Sequence, residues 1–319
     1  SEVDRAGHLG AERAGLRGPR LLFIGHLDTV LEGETFRREG SLAYGSGTAD
    51  MKGGNAVILA ALRALHRAGD LEGRPVIVIF TGDEETTGKP YSISRAALVE
   101  AGRRSDVALA FEGSIPGKAV VGRRGFSSWQ LEVTGSQGHS STIFGEARGS
   151  GAIFEAARIL SAFHDQLRQP NITYNPGVIV GGSDVTFTPE SHSGTAHGKT
   201  NVVSNRVAVT GDLRYLERGP LEETREKMRA IVADSLPQTS ATISFLDGMP
   251  AMAPTEENMA LLASLDQVSR DLGFGPMEPH DPAKRGAGDI SFVAKDVDGL
   301  DGLGALGDND HAPGERVDL

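Results

Sequence analysis

The early chain alternates short apolar runs with stretches of helical period. "LLFIG" (21–25), "RPVIVIF" (74–80) and "DVALAF" (106–111) are continuous apolar segments of strand length. That pattern belongs to strands buried on both faces. Between the first two, "GGNAVILAALRALHRAG" (53–69) places Val57, Leu59, Leu62 and Leu65 on one helical face and ends at Gly69, which predicts an amphipathic helix with a glycine stop. Strand and helix in alternation predict an α/β domain around a mostly parallel sheet.

The period changes after about residue 122. "FSSWQLEVTG" (126–135) and "NRVAVTGDLRYL" (205–216) alternate apolar and polar residues, and "ATISFLDG" (241–248) adds a third strand. Two-residue periodicity marks half-exposed antiparallel strands. Residues 147–167 and 219–236 read as helices, so this stretch is a small α+β module. After Pro250 come two helical segments, "ENMALLASLDQVSRDLG" (257–273) and "GDISFVAKD" (288–296), and a last apolar stretch, "DGLGALG" (301–307). The predicted organisation is one α/β domain formed by 1–122 and 250–319, interrupted by a module at 123–249. The polar stretch 181–200 reads as a loop or hairpin excursion.

Composition narrows the picture by exclusion. The chain has 319 residues, 39% hydrophobic and 24% charged, as in an ordinary folded protein long enough for two domains. A net charge of −11 argues against nucleic acid or an anionic membrane as partner. With no cysteine there are no disulfides, thiolate metal sites or cysteine nucleophiles. No apolar run approaches the roughly 20 residues that span a bilayer. The chain opens on Ser1 without a visible signal segment, which leaves cytoplasm and periplasm equally open.

In open α/β sheets the chemistry collects beyond the carboxyl ends of the strands. The polar residues there are His26 and Asp28 after the first strand, Asp83, Glu84 and Glu85 after the second, and Glu112 after the third. Asp308, Asp310 and His311 follow the last apolar stretch, and Asp50 stands before the first long helix. Singly, each has an ordinary reading: a surface histidine, a helix cap, a solvated acidic loop. Together, two imidazoles and three carboxylates suit two divalent cations about 3.5–4 Å apart, one carboxylate shared.

"GHLDTV", "YGSGTADMKGG", "TGDEETTG", "AFEGS" and "NDHAPGE" occur in an order and spacing that resembles the two-metal aminoacyl hydrolases. That family includes glutamate carboxypeptidases, acetylornithine deacetylase, succinyl-diaminopimelate desuccinylase and aminoacylases, and the wording is nearest the glutamate carboxypeptidase type. The resemblance covers essentially the whole chain. It implies a zinc-peptidase-like catalytic domain carrying an inserted lid and dimerisation domain. It implies that His26, Asp50, Glu85, Glu112 and His311 bind metal. Asp50 bridges, Glu112 pairs with His26, and Glu85 pairs with His311. Glu84 is then the general base and Asp28 orients His26. A cis peptide is expected after Asp50. The expected cofactors are two divalent ions, zinc first, with cobalt or manganese as alternatives.

Within "GSQGHSS", His139 matches a family histidine that reaches the partner subunit's active site in a homodimer. Asn201 and Arg214 match an Asn and an Asp-x-Arg strand end in the lid. "RGAGDISF" (285–292) offers backbone N–H groups at Gly286 and Gly288 to a substrate carboxylate, and Lys118 adds a cation. These features imply hydrolysis of an amide beside a free carboxylate, by a carboxypeptidase or an N-acyl-amino-acid deacylase. A catalytically inactive binding relative would have lost ligands or the base, and all are present. A nucleotide-binding reading of "GSG" and "GAG" fails because neither follows a strand in the required pattern.

The sequence departs from the family at Ser46 and at Gly113, where proline is common. The excursion at 181–200, with His192 and His197, is longer than in close relatives. Relatives carry a helix and strand before this region and a final helix after it, so the chain is expected to be part of a longer protein.

Overall fold

In a computed structural model of the chain, residues 6–319 are described. The chain divides into two compact units, one running to Arg123 and resuming at Ala251, the other spanning Arg124–Pro250. The first unit begins with β1 (Leu9–Arg13), β2 (Leu21–His26), α1 (Gly53–Ala68), β3 (Val76–Thr81), α2 (Ala96–Arg103) and β4 (Val107–Ala110). The second holds β5 (Gly125–Gly135), α3 (Gly151–Gln166), β6 (Thr173–Gly182), β7 (Arg206–Tyr215), α4 (Arg218–Ala233) and β8 (Thr239–Asp247). The chain re-enters the first unit with α5 (Glu256–Asp271) and the short β9 (Gly299–Leu300).

The sheet of the first unit has the order β1-β3-β2-β4-β9. β2, β3, β4 and β9 are parallel, but β1 runs antiparallel to β3 along the edge. The sheet is therefore mixed, where the apolar runs implied a mostly parallel one. All five residues of β1 are exposed, so this edge strand leaves no apolar signature, and the charges of Glu12 and Arg13 at its C-terminal end suit an unprotected edge. A separate antiparallel sheet joins 37–39, 42–44, 307–308 and 316–318.

Leu22, Ile24 and Ile77 are almost fully buried in the central strands, each contributing about 1.5–3 kcal/mol of apolar burial. α1 covers the sheet through Gly54, Asn55 and Ile58, with Val57 and Leu62 at the margin. Leu59, expected on that face, is 53% exposed. The helix sits too close for a large residue at its start: a Cβ on Gly54 would lie 1.9 Å from the Phe111 carbonyl oxygen. α1 ends at Gly69, whose left-handed φ of 76° lets its N–H reach the His66 carbonyl. α5 starts at Thr255, whose Oγ1 accepts from Asn258 N–H at 3.0 Å.

The expected helix at 288–296 is only a tight turn, Asp289–Phe292, with all four residues buried. Its apolar residues are core, and Asp289 is turned inward to Arg95 and Thr81.

The second unit is an antiparallel sheet of order β8-β5-β7-β6, packed on α3 and α4. β5 alternates, burying Ser127, Trp129, Leu131 and Val133, and Trp129 meets Phe163 of α3 edge-on at 5.9 Å. The 181–200 excursion contains a hairpin pairing 184–188 with 193–197.

Candidate metal centre

The last residue of β2 is His26, 1% exposed. Its backbone is fixed from α1 and the turn before it: its N–H approaches Met51 Sδ at 3.2 Å and its carbonyl accepts from Asn55 Nδ2 at 2.6 Å. Its ring Nδ1 lies 3.0 Å from the Asp28 carbonyl oxygen and 3.3 Å from Asp28 Oδ1. The free face of the imidazole is therefore Nε2. Asp28 does a second job, because its two carboxylate oxygens accept from Glu84 N–H and Glu85 N–H, each at 3.0 Å. One side chain thus ties the ends of β2 and β3 together.

The acidic triplet after β3 separates into three environments. Asp83 accepts from Gly88 N–H at 3.0 Å and from Arg95 Nη1 at 2.5 Å. Arg95, with no exposed surface, also donates from Nε to Asp289 Oδ1 at 2.7 Å. Asp83 is neutralised by an internal arginine that no motif singles out. Among the described residues the Glu84 carboxylate has no ion-pair partner: burial and the Asp289 carboxylate push its pKa up to about 7, with Glu85 adding to them, against the pull of His26 and Arg123. Glu85 points to His311, its Oε2 3.2 Å from Nε2.

Asp50 sits in the irregular turn before α1, and the Asp50–Met51 peptide is cis. The turn is held by Glu315, another residue missed from sequence. This buried carboxylate accepts from Gly47 N–H at 2.5 Å, and from Ala49 N–H and Asp50 N–H at 2.9 Å. Glu315 follows His311 by four residues, so the segment bringing one histidine also fixes the shared Asp. His311 has a left-handed φ of 61°, unusual for a residue with a Cβ and typical of functional turns.

Among the described residues, two groups could hold a metal: His26, Asp50 and Glu112, and Asp50, Glu85 and His311. Asp50 belongs to both through different atoms. Its Oδ1 is 2.9 Å from His26 Nε2, and its Oδ2 is 3.1 Å from His311 Nε2. Glu112 Oε1 lies 3.8 Å from His26 Nε2. Tetrahedral ligands around zinc are separated by about 3.3 Å, so these spacings suit cation ligation.

The electrostatics agree. Burial opposes a charge on His26, but hydrogen bonds to Asp28 and Asp50 and the charges of Glu112 and Asp50 push its pKa up to about 12. Burial likewise opposes charging His311, yet Glu85 and Asp50 raise it. Burial and Asp50 raise Glu112 well above the usual carboxylate range, and the same two causes raise Glu85. Glu85 Oε1 is buried without a hydrogen-bond partner. A negative field strong enough to retain these protons favours cations competing for the same atoms, so the residues fit two divalent ions.

The remaining candidates fall elsewhere. In the first unit, Lys118 lies on a two-residue strand paired with 278–279. The carbonyls of Gly286 and Ala287 each accept from Arg123 Nη1 at 3.1 Å, and Gly288 precedes the Asp289–Phe292 turn. In the second unit, His139 and Asn201 are neighbours: His139 pairs with Val202 in a β-bridge, and Ser140 N–H donates to the Asn201 carbonyl at 2.9 Å. The His139 ring is exposed, with Nδ1 2.7 Å from Ser141 Oγ. Arg214 donates from Nε to Asp212 Oδ2 at 3.1 Å, both side chains about two-fifths exposed. His192 and His197 are exposed and belong to neither metal group.

Known proteins resemble this chain in sequence and in fold. Carboxypeptidase G2 of Pseudomonas sp. (strain RS-16) is 27% identical over 257 residues, which is 78% of this chain but 57% of that protein. The chain thus spans little more than half of that relative. Succinyl-diaminopimelate desuccinylase of Methylobacterium radiotolerans is 28% identical over 324 residues, 96% of this chain and 78% of its own length. The fold matches that of the Bacillus subtilis YXEP protein, a dinuclear metal binding peptidase, with a TM-score of 0.66 at 14% identity, covering 98% of this chain and 80% of that one. The family model for peptidase family M20/M25/M40 matches residues 22–319, and the chain belongs to that family.

Proposed function

We propose that the protein is a two-metal hydrolase that cleaves an amide bond next to a free carboxylate, acting as a carboxypeptidase that releases a glutamate-like C-terminal amino acid. The observation that carries this reading is Asp50, which presents one carboxylate oxygen to each of two imidazoles. On it, His26 and Glu112 hold one ion with Asp50, while Glu85 and His311 hold the other. Zinc suits this nitrogen and oxygen set, and cobalt or manganese can take the same ligands. When bound, two such ions acidify a water and polarise an amide carbonyl.

The chain's own residues supply the proton chemistry. Glu84 has no ion-pair partner among the described residues, and a pKa of about 7 is matched to a general base near neutrality. It takes a proton from the attacking water as the new C–O bond forms. It returns that proton to the amide nitrogen as the C–N bond breaks. Asp28 acts indirectly, setting the His26 ring and the Glu84–Glu85 backbone in one orientation.

In the second unit His139 is assigned to stabilise the carbonyl oxygen in the site of a second copy, with Asn201 beside it. Arg214, held by an exposed ion pair worth under about 1 kcal/mol, is available to a substrate carboxylate, as are Lys118 and the Gly286–Gly288 loop. The second unit then serves as lid and dimerisation domain. Four exposed apolar side chains there, Phe144, Ile153, Phe154 and Ile179, support a homodimer face beside edge strand β6. An N-acyl-amino-acid deacylase is the second reading, favoured by the likeness to a desuccinylase over 96% of the chain.

Hydrolysis of a panel of peptidyl and N-acyl amino acids, with and without added zinc, tests the proposal. Zinc-dependent release of the C-terminal amino acid is expected, and a zinc-loaded protein inert on the whole panel overturns it. Glu84→Gln should keep both metals by elemental analysis and lose about 10²–10⁴ in turnover. Undiminished turnover would remove Glu84 as the base.

A further inference from the structure

Arg123 holds no metal and moves no proton, yet its buried side chain joins two segments of the first unit. Its Nε donates to Asp301 Oδ2 at 2.5 Å, and Asp301 has no exposed surface. Asp301 directly follows β9, and three residues on, Gly304 N–H donates to the Glu112 carbonyl at 3.0 Å. One end of the arginine is thus tied to the backbone frame of a metal ligand. Burial works against its charge, but Asp301, Glu112 and Glu84 outweigh that and raise its pKa.

The other end shapes a loop. Nη1 donates at 3.1 Å to two successive carbonyls, those of Gly286 and Ala287. Both peptide bonds are trans, and a trans peptide points its N–H opposite to its carbonyl. Drawing both carbonyls onto one nitrogen therefore turns the N–H groups of Ala287 and Gly288 away from it. Neither has a partner among the described residues, although Gly288 is buried. A buried backbone N–H left unpaired is rare, and adjacent N–H groups of this kind suit an anion. Gly288 has an extended φ of −159°, so the backbone does not demand glycine there. The guanidinium does: a Cβ on Gly288 would lie 2.7 Å from Nη1 and 2.9 Å from Cζ. Past Gly288 the loop is anchored again, where Asp289 accepts from Arg95 Nε at 2.7 Å.

We propose that Arg123 is a positioning residue, which aims the Ala287 and Gly288 N–H groups at the substrate carboxylate and sets their distance from Glu112. This rests on the hydrolase reading above, which gives that carboxylate to the loop, and adds the group that shapes the loop. Arg123 does not touch the substrate; it acts through the two peptides it holds. A planar fork can bind Asp301 on one edge and both carbonyls on another, whereas an ammonium is a single point charge. Lysine at 123 should therefore preserve the pairing with Asp301 and lose part of the hold on the loop.

Two variants test it without leaving a buried charge unpaired. Arg123→Met combined with Asp301→Asn removes the fork, and Gly288→Ala keeps the Arg123–Asp301 pair while crowding the loop off it. The substrates are N-acetyl- and N-benzoyl-glutamate, each against the matching N-acyl-isoglutamine, which carries an amide in place of the α-carboxylate. In the zinc-loaded protein both variants should raise KM for the glutamates about tenfold with kcat little changed, and leave the isoglutamines as they were. Arg123→Lys should fall between wild type and the double variant. Equal losses on glutamates and isoglutamines, or an unchanged KM in both variants, overturn the proposal. Calorimetry with free glutamate and isoglutamine keeps the two readings apart. If no substrate is cleaved the hydrolase reading fails, yet tighter glutamate binding that both variants abolish still supports the role of Arg123. Equal binding of the two ligands, or a difference that both variants retain, overturns it.

Discussion

Arg95 carries a full charge with no exposed surface, and it does so between two carboxylates. Burial opposes that charge, but Asp289 and Asp83 outweigh it and raise the guanidinium further. The group matters beyond its own pairing, because Asp83 leads the turn that bears Glu84 and Glu85, while Asp289 ends the Gly286–Gly288 loop. Removing the cation leaves the buried Asp289 carboxylate and the largely buried Asp83 carboxylate without their counter-charge. Breaking a buried ion pair in this way costs about 3–5 kcal/mol, and Arg95→Ala should lose that much in urea unfolding. Combining Arg95→Met with Asp83→Asn and Asp289→Asn should recover part of the loss, since neutral groups need no counter-charge. A loss under 1 kcal/mol in Arg95→Ala would show the triad to be solvated. This also explains what the acidic triplet could not disclose from sequence. Glu84 and Glu85 were legible through their motif, whereas the partner of Asp83 lies twelve residues on in an unremarkable polar segment.

Among the elements, the strands that reach the site were the easiest to read. β2, β3 and β4 lie inside the sheet, so almost every residue had to be apolar. Exposed β1 and the two-residue pairings at 118–119 and 299–300 carry no such signature. The segment at 288–296 resembled a helix because its apolar residues are buried, but only the four-residue turn Asp289–Phe292 forms there, and it buries all of its residues. Glu315 was invisible for a similar reason: its role is to accept three backbone N–H groups from a turn more than 260 residues earlier. Those bonds are charge-assisted, and they set where Asp50 points. Supporting groups of this kind typically alter metal affinity 10–100-fold. Glu315→Gln should therefore weaken metal binding by about that factor in a chelator competition, with Glu315→Ala weaker still. Unchanged affinity in both would mean that Glu315 does not position Asp50.

The whole molecule has to carry an acidic site in an acidic chain, and this gives its stability a definite pH dependence in the metal-free form. His26 and His311 have pKa values raised by neighbouring carboxylates, and Glu84, Glu85 and Glu112 have values raised chiefly by burial. A group with a raised folded pKa binds more protons in the native than in the unfolded chain between the two values. Its contribution is full below the unfolded pKa and lost as pH climbs through the folded one. For Glu84 that window runs from 4.5 to about 7, worth on the order of 3 kcal/mol. For His26 it runs from 6.5 to about 12. Asp28 and Asp50, with lowered values, act only at the acid end, below the ordinary 3.8. From pH 5 to pH 8 the metal-free protein should thus lose stability steadily, seen as a falling Tm in scanning calorimetry. Divalent ions compete with the same protons, so zinc should raise Tm much more at pH 8 than at pH 5, with protons released on binding. A zinc-induced gain independent of pH, or a metal-free Tm that rises toward pH 8, would mean that these seven side chains do not form one site.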